Sequence, residues 1–373
     1  MLQKRTFHTE GITRRGFLKK AGKAALCVCL PPLLGACKGG EQGLSVSRGH
    51  ENLVVISRFR DYDPAGYQAL KRTVGEMVEA TYERRPFFSR GDRIAMKVNL
   101  VSSLDALQRP ATETYTTHPL VVMALVEVFG DLGAGAVDIV EGATFPSNTK
   151  AVFAFLGYGD LFPLLGGGTL IDLNSPDPYK DFGEIQVQGG LVYRSIKVNR
   201  RLLETDCLVS VSKLKCHSTA GVTLSMKNLI GLLPVQVYGA KGTGARIEFV
   251  HGSDPSVKVP HNIIDVASIF PSDFSMIDGI TAMDRGEGPW VEGPSFTTPG
   301  VLIAGLNPVA VDSVGASVMG FDPGATYPNS PFVNALNHLR LASEYGLGSH
   351  ILEDMEILGE TIQDVLYPYA PPL

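Results

Sequence analysis

The chain has 373 residues, 44% of them hydrophobic and 19% charged, which is enough to bury a large core and too apolar for a disordered protein. Its formal net charge is −5, a balance that argues against binding nucleic acid or an anionic membrane surface. The 41 glycines and 24 prolines imply many turns between short elements.

Residues 1–36 read as an address and not as part of the fold. Thr13-Arg14-Arg15-Gly16-Phe17-Leu18-Lys19 is a twin-arginine export motif, followed by the apolar stretch Ala24 to Leu34. That stretch is short for a bilayer span and contains Pro31 and Pro32, so a permanent transmembrane anchor is not expected. Leu34-Gly35-Ala36-Cys37 resembles a lipobox, which makes Cys37 the lipidated first residue of the mature chain; simple cleavage is the alternative. Residues 37–50 then form a flexible tether, and residues 51–373 a single α/β domain, open to division into two lobes. The expected location is extracytoplasmic, on the periplasmic side, as a membrane-anchored lipoprotein exported by the twin-arginine translocase. Loss of residues 1–36 takes away seven basic residues and one acidic one, leaving 26 basic and 37 acidic residues, a net of −11. A basic pocket in such a body would be local.

The folded part alternates strands and helices. Leu53 to Ser57 reads as a strand, and Asp63-Pro64 as a helix start followed by an apolar stripe at Tyr67, Leu70, Val74, Met77 and Val78. Arg93 to Val98 is a strand delivering Lys97 and Asn99 to its end. Pro119 to Leu132 is a buried helix with His118 at its cap, where the helix dipole favours a neutral imidazole facing an anion, or simply a capping histidine. Ala136 to Glu141 is the next strand. Residues 166–199 read as a small β-hairpin insertion around Gly189-Gly190, and Pro234 to Asn262 as an irregular lid or binding loop holding Lys241, Arg246, His251 and His261. Phe274 to Ile280, with Asp278 near its end, and Val301 to Gly305 are further strands, and Asn307-Pro308 caps a helix carrying Asp312, which faces a cation or packs near the helix start, a salt bridge to a motif lysine being the structural alternative. Phe332 to Tyr345 and Met355 to Leu358 close the chain as helix and strand. This grammar predicts an α/β fold, with a mostly parallel or mixed sheet and helices on both faces.

The most informative stretch is Ser210 to Gly231, where a strand continues through Lys213, Lys215 and His217 into a helix with Lys227 and Asn228. Alternation puts Lys213, Lys215 and His217 on one side of an extended chain. Lysines beyond a strand end more often lie in solvent. Here the strand-to-helix junction and the apolar neighbours of Lys227 favour a site. The run KLKCHSTAGVTLSMKNLIGLLP resembles the core motif of the domain of unknown function 362 family, as do Lys97-Val-Asn99, Thr117-His118-Pro119, Asp284-Arg-Gly-Glu-Gly-Pro289 and Asn307-Pro-Val-Ala-Val-Asp312. The resemblance implies positions more than an activity, because the family carries no settled reaction.

Three motif groups follow predicted strands and would meet at one sheet edge. The leading expectation is an enzyme performing acid/base chemistry on a small anionic carboxylate or phosphate substrate, with no nucleic-acid partner. His217, Lys215 and Glu287 are its catalytic candidates, Lys97, Asn99, His118, Lys213, Lys227 and Asn228 its binding candidates, and Asp312 a candidate ligand for a divalent metal. The alternatives are a non-catalytic binding or cofactor-maturation lipoprotein serving a partner redox protein, and iron–sulfur electron transfer. The last is disfavoured: after export only Cys207 and Cys216 remain, too few to ligate an ordinary cluster within this chain. A disulfide between them would need α carbons within about 7 Å, which the extended stretch between them opposes.

Overall fold

The computed structural model describes residues 52–101, 110–144, 149–187, 189–239 and 246–372. The export motif, the lipobox at Cys37, the tether and Lys241 lie outside the described residues. Short aliphatic and β-branched runs supply the first strands: β1 (Leu53–Arg58), β2 (Arg93–Lys97), β3 (Ala136–Glu141) and β4 (Leu170–Asp172). Then β5 (Gly183–Gln186) and β6 (Ser195–Val198) pair with each other alone, the expected hairpin insertion. Two long strands follow, β7 (Cys207–His217) and β9 (Phe274–Asp284), carrying the short returns β8 (Gly221–Val222) and β10 (Ser295–Thr297). Finally β11 (Val301–Gly305) and β12 (Glu356–Gly359) complete the set.

The strand order is β12-β1-β11-β9-β7-β2-β3-β4. From β9 to β4 all neighbours are parallel, whereas β11 runs antiparallel to both β9 and β1. β11, with the short antiparallel returns β8 and β10, therefore makes the sheet mixed. The C-terminal ends of β2, β3, β7 and β9 share one edge, where open α/β sheets bind ligands.

Helices cover both faces. On one side α1 (Tyr67–Arg84) and α2 (Pro119–Asp131) pack over a core containing Leu70, Val74, Leu125 and Phe129. Asp63 accepts a hydrogen bond from the Ala65 amide and Pro64 opens a 3-10 turn that leads into α1. Leu70, Val74, Met77 and Val78 are all buried, each contributing about 1.5–3 kcal/mol by leaving water. On the other side lie α3 (Leu224–Asn228), α4 (Arg246–His251), α5 (Pro255–Ile269), α6 (Pro308–Val318) and α7 (His338–Glu344).

Three expectations need correction. The described residues of the stretch 234–262 are largely helical: Asp254 caps α5 by accepting from Ser256, and Pro255 sets its first turn, a start signal masked in the sequence by the surrounding glycines and charges. Helix α7 begins only at His338, because Asn337 takes the cap position and accepts from the amides of Leu339 and Arg340. β9 runs on to Asp284, so Asp278 is mid-strand and not near its end. Cys207 and Cys216 stand at nearly opposite ends of β7 and form no disulfide.

Candidate functional site

Extended backbone carries β7 through all of Lys213, Lys215 and His217, and every residue of the strand is buried. The three side chains continue the face of Cys207, Val209 and Val211, yet they do not share one environment. Between Lys213 and Lys215 the pairing with β9 slips: Lys213 lies opposite Asp278, but Lys215 lies opposite Met283. This irregularity separates a sealed cluster from an open cleft.

Lys213 belongs to the sealed cluster. Its Nζ donates to Asp278 Oδ2 at 3.0 Å, Tyr62 Oη at 2.8 Å and the Thr112 carbonyl at 3.2 Å, which uses all three of its protons. The Tyr62 hydroxyl donates to the other oxygen of Asp278, and the His118 amide donates to Asp278 as well. The His118 ring stacks on Tyr62 with centroids 3.8 Å apart, while its Nδ1 accepts from Leu120 at the start of α2. Burial, helped by nearby Lys213, pushes the imidazole down to about 4, so it is a neutral cap. Lys213 and His118 are thus bound into the fold and do not line the cleft.

A cavity of about 390 Å³ opens at the shared strand edge, lined by Lys97, Asn99, Lys215, His217, Lys227, Asn228 and Glu287 among others. Seven of the ten residues expected in the site are there. Its floor is a closed network. Lys97 Nζ reaches Glu141 Oε1 at 2.7 Å, the Val98 carbonyl and Asn228 Oδ1, and Glu141 also accepts the amides of Leu100 and Gly142. Asn228 donates to the Lys97 carbonyl and to Ser210, tying β2 to β7. Gly231 is required beside this floor: a methyl there would fall 2.5 Å from Lys97 Nζ and 2.8 Å from Glu141. Asn99 donates to Asn228 and keeps its buried Oδ1 without a partner.

Above the floor the groups are less committed. Lys215 Nζ donates to the carbonyls of Tyr115 at 2.6 Å and Glu287 at 3.1 Å, leaving one position for a ligand. Burial, reinforced by Lys227 and Lys213, pulls its amine down to about 7 against the attraction of Glu287. Lys227 lines the cleft and makes no hydrogen bond or ion pair with any described residue; burial lowers it to about 8, with Arg246 and Lys97 adding repulsion. His217 Nδ1 accepts from the amides of Thr219 and Ala220, so the ring proton sits on Nε2. Burial brings this imidazole to about 3, which makes it a neutral donor near pH 7.

Glu287 takes another part. Oε2 accepts from the Ser218 amide at 2.8 Å, and Oε1 from the Ser218 hydroxyl and Trp290 Nε1, both at 3.1 Å. Although burial raises such a group, the neighbouring His217 ring, these donors and Lys227 hold it at about 2. It positions the turn after β7 and stays ionised.

Asp312 is turned away from the cleft. Its two oxygens accept from the amides of Ser225 and Met226 at 2.7 and 2.8 Å, capping α3, while burial lifts its carboxyl to about 7. Both oxygens are thus taken by the start of a neighbouring helix, where a cation or a lysine was the other expectation. Among the described residues no group of three or more His, Cys, Asp or Glu side chains is placed to hold a metal ion.

Among the lining residues that the sequence reading did not name as site members, four carry a charged or ring group. Glu141 showed only as a strand terminus, although its place at the C-terminal edge was the available signal. Arg246, which donates to the Gly142 and Ala143 carbonyls and leaves Nε without a partner, and His251, lowered by burial to about 4, stood in a segment read as a loop. Trp290 follows the Asp284 to Pro289 motif directly.

The chain resembles known proteins across this region. It is 25% identical over 277 residues to thylakoid-associated protein sll1697 of Synechocystis sp., covering 74% of this chain and 76% of that protein. The family model described as Domain of unknown function (DUF362) matches residues 94–317, which hold β2, β7, α3, β9 and nearly all of α6. This chain therefore belongs to the domain of unknown function 362 family.

Proposed function

We propose that the protein is an exported, membrane-tethered enzyme that binds a small anionic carboxylate or phosphate compound and moves a proton on it. The observation that carries this reading is Lys227, an ammonium lining the cavity with no acceptor from the described residues, beside Lys215 and Arg246. Four cationic groups, Lys97, Lys215, Lys227 and Arg246, face two carboxylates, Glu141 and Glu287, so the lining carries an excess of positive charge that an anion would offset. Lys227 and Arg246 bind the anionic group. Lys215, whose amine loses its proton near pH 7, is the general base for a proton beside that group. The Nε2 proton of His217 donates to the substrate oxygen on which charge develops, as a neutral imidazole can without giving up its proton. Glu287 positions the turn and takes no proton.

Sulfate is the first probe because it does not titrate near neutrality. Isothermal calorimetry is expected to show a single site in the wild type, weakened at least tenfold in Lys227→Met, as loss of a hydrogen bond to a charged group implies. Equal affinity in both proteins would remove Lys227 from the site. Proton transfer is tested by deuterium exchange, followed by NMR, in 2-oxo and 2-hydroxy carboxylates incubated in heavy water: exchange lost in Lys215→Met supports the enzyme, and tight binding without exchange supports a non-catalytic binding protein. Attachment rests on Cys37, and Cys37→Ser is expected to release the exported chain from the membrane fraction.

A further inference from the structure

The cavity is larger and less polar than a bare oxyanion needs. By liquid volume, 390 Å³ corresponds to roughly a dozen waters, and beside the charged groups the lining includes the apolar side chains of Val101, Ile230, Val250, Val291 and Trp290. Trp290 is 43% exposed, an unusual state for so large an apolar ring. It is nevertheless fixed in place. Its Nε1 donates to Glu287, its ring meets Tyr115 edge to face with centroids 5.7 Å apart, and it lies so close over Gly288 that any side chain there would collide with it. Arg285, with φ of +63°, turns the chain out of β9 to begin this strap, and Gly286 lets Val291 fold back against it.

We infer, resting on the anion-binding reading above, that the ligand is an anion bearing a flat aromatic group, and that Trp290 is the platform on which that group stacks. Lys227 and Arg246 take the anionic group, while the held indole and the aliphatic side chains take the ring. An exposed aromatic already fixed by a hydrogen bond loses little conformational freedom on binding, so ring contact adds directly to affinity.

The chain has a single tryptophan, so its emission reports this site alone. Phenyl phosphate and inorganic phosphate are titrated into the full protein, with affinity read by calorimetry and ring contact by tryptophan fluorescence. Phenyl phosphate is expected to bind at least tenfold more tightly and to quench or shift the emission; inorganic phosphate is expected to bind with little change in emission. Trp290→Ala should reduce the preference to about threefold or less. Trp290→Tyr keeps an aromatic face but changes the hydrogen bond to Glu287, and should retain most of the preference. Loss of preference in both variants would assign the effect to the turn that Glu287 holds and would overturn the platform. A wild-type preference near unity, or one that survives in Trp290→Ala, would overturn it as well. If inorganic phosphate itself does not bind, the anion-binding reading falls, and that failure is distinct from loss of the preference alone.

Discussion

Lys213 and Lys215 lie two residues apart on one strand and point to the same side, yet one is closed into the fold and the other opens onto a cavity. Lys213 has three acceptors, one of them a buried carboxylate 3.0 Å away, and nothing left to offer. Lys215 has two carbonyls and no carboxylate within ion-pair distance, and its neighbour Lys227 has no acceptor among the described residues. The contrast teaches that lysine content and side-chain direction do not make a site. What decides is whether the protein supplies the counter-charge itself or leaves it to a ligand.

The largest test of that contrast is Asp278→Asn. If the Lys213 cluster is a sealed ion pair, neutralising one partner leaves a buried charge and should cost about 3–5 kcal/mol in urea unfolding. Converting both partners, Lys213→Met with Asp278→Leu, should recover most of that loss. A cost below about 1 kcal/mol for Asp278→Asn would erase the distinction between the two regions.

Gly231→Ala probes the floor, which resembles the sealed cluster more than the open cleft. The added methyl must part Lys97 from Glu141, and overpacking of this kind costs about 1–3 kcal/mol. The same variant should weaken sulfate binding, because the floor positions α3 and with it Lys227. Unchanged stability and binding together would show that the floor can yield.

The smallest effect is the most diagnostic, because it is a pair of opposite slopes. Sulfate affinity should fall severalfold between pH 7 and 9, as Lys215 at about 7 and Lys227 at about 8 lose their protons. Between pH 5 and 6.5 it should be flat, since His217 at about 3 and His251 at about 4 are already neutral. Stability moves the other way. Both amines sit below the ordinary lysine value of about 10.4, so above pH 7 the unfolded chain holds protons that the folded state has released, and stability contributed by these groups rises with pH up to about 10. A histidine-like step near pH 6.5 in sulfate affinity would contradict the neutral form of His217, whereas stability should rise toward pH 6.5, because below it His217 and His251 take up protons only in the unfolded chain.

Much of this molecule could be read along the chain. Strand positions, the caps at Asp63, His118 and Asn307, and the convergence of Lys97, Lys215, His217, Lys227 and Glu287 follow from local rules: period-two alternation, proline in a first helical turn, and strand ends sharing an edge. These are properties of a few consecutive residues and need no knowledge of what lies across the fold. The rest depended on partners far away in sequence. Lys213 was separated from Lys215 by a slip in pairing with β9, Asp312 was claimed by amides 87 and 86 residues upstream, and Arg246 and Trp290 entered the cavity on elements whose neighbours the sequence does not name. Sequence determined which residues could carry charge to the sheet edge; only the register and packing of distant segments decided which of those charges were satisfied, because a hydrogen-bond partner is fixed by position in space and not by spacing along the chain.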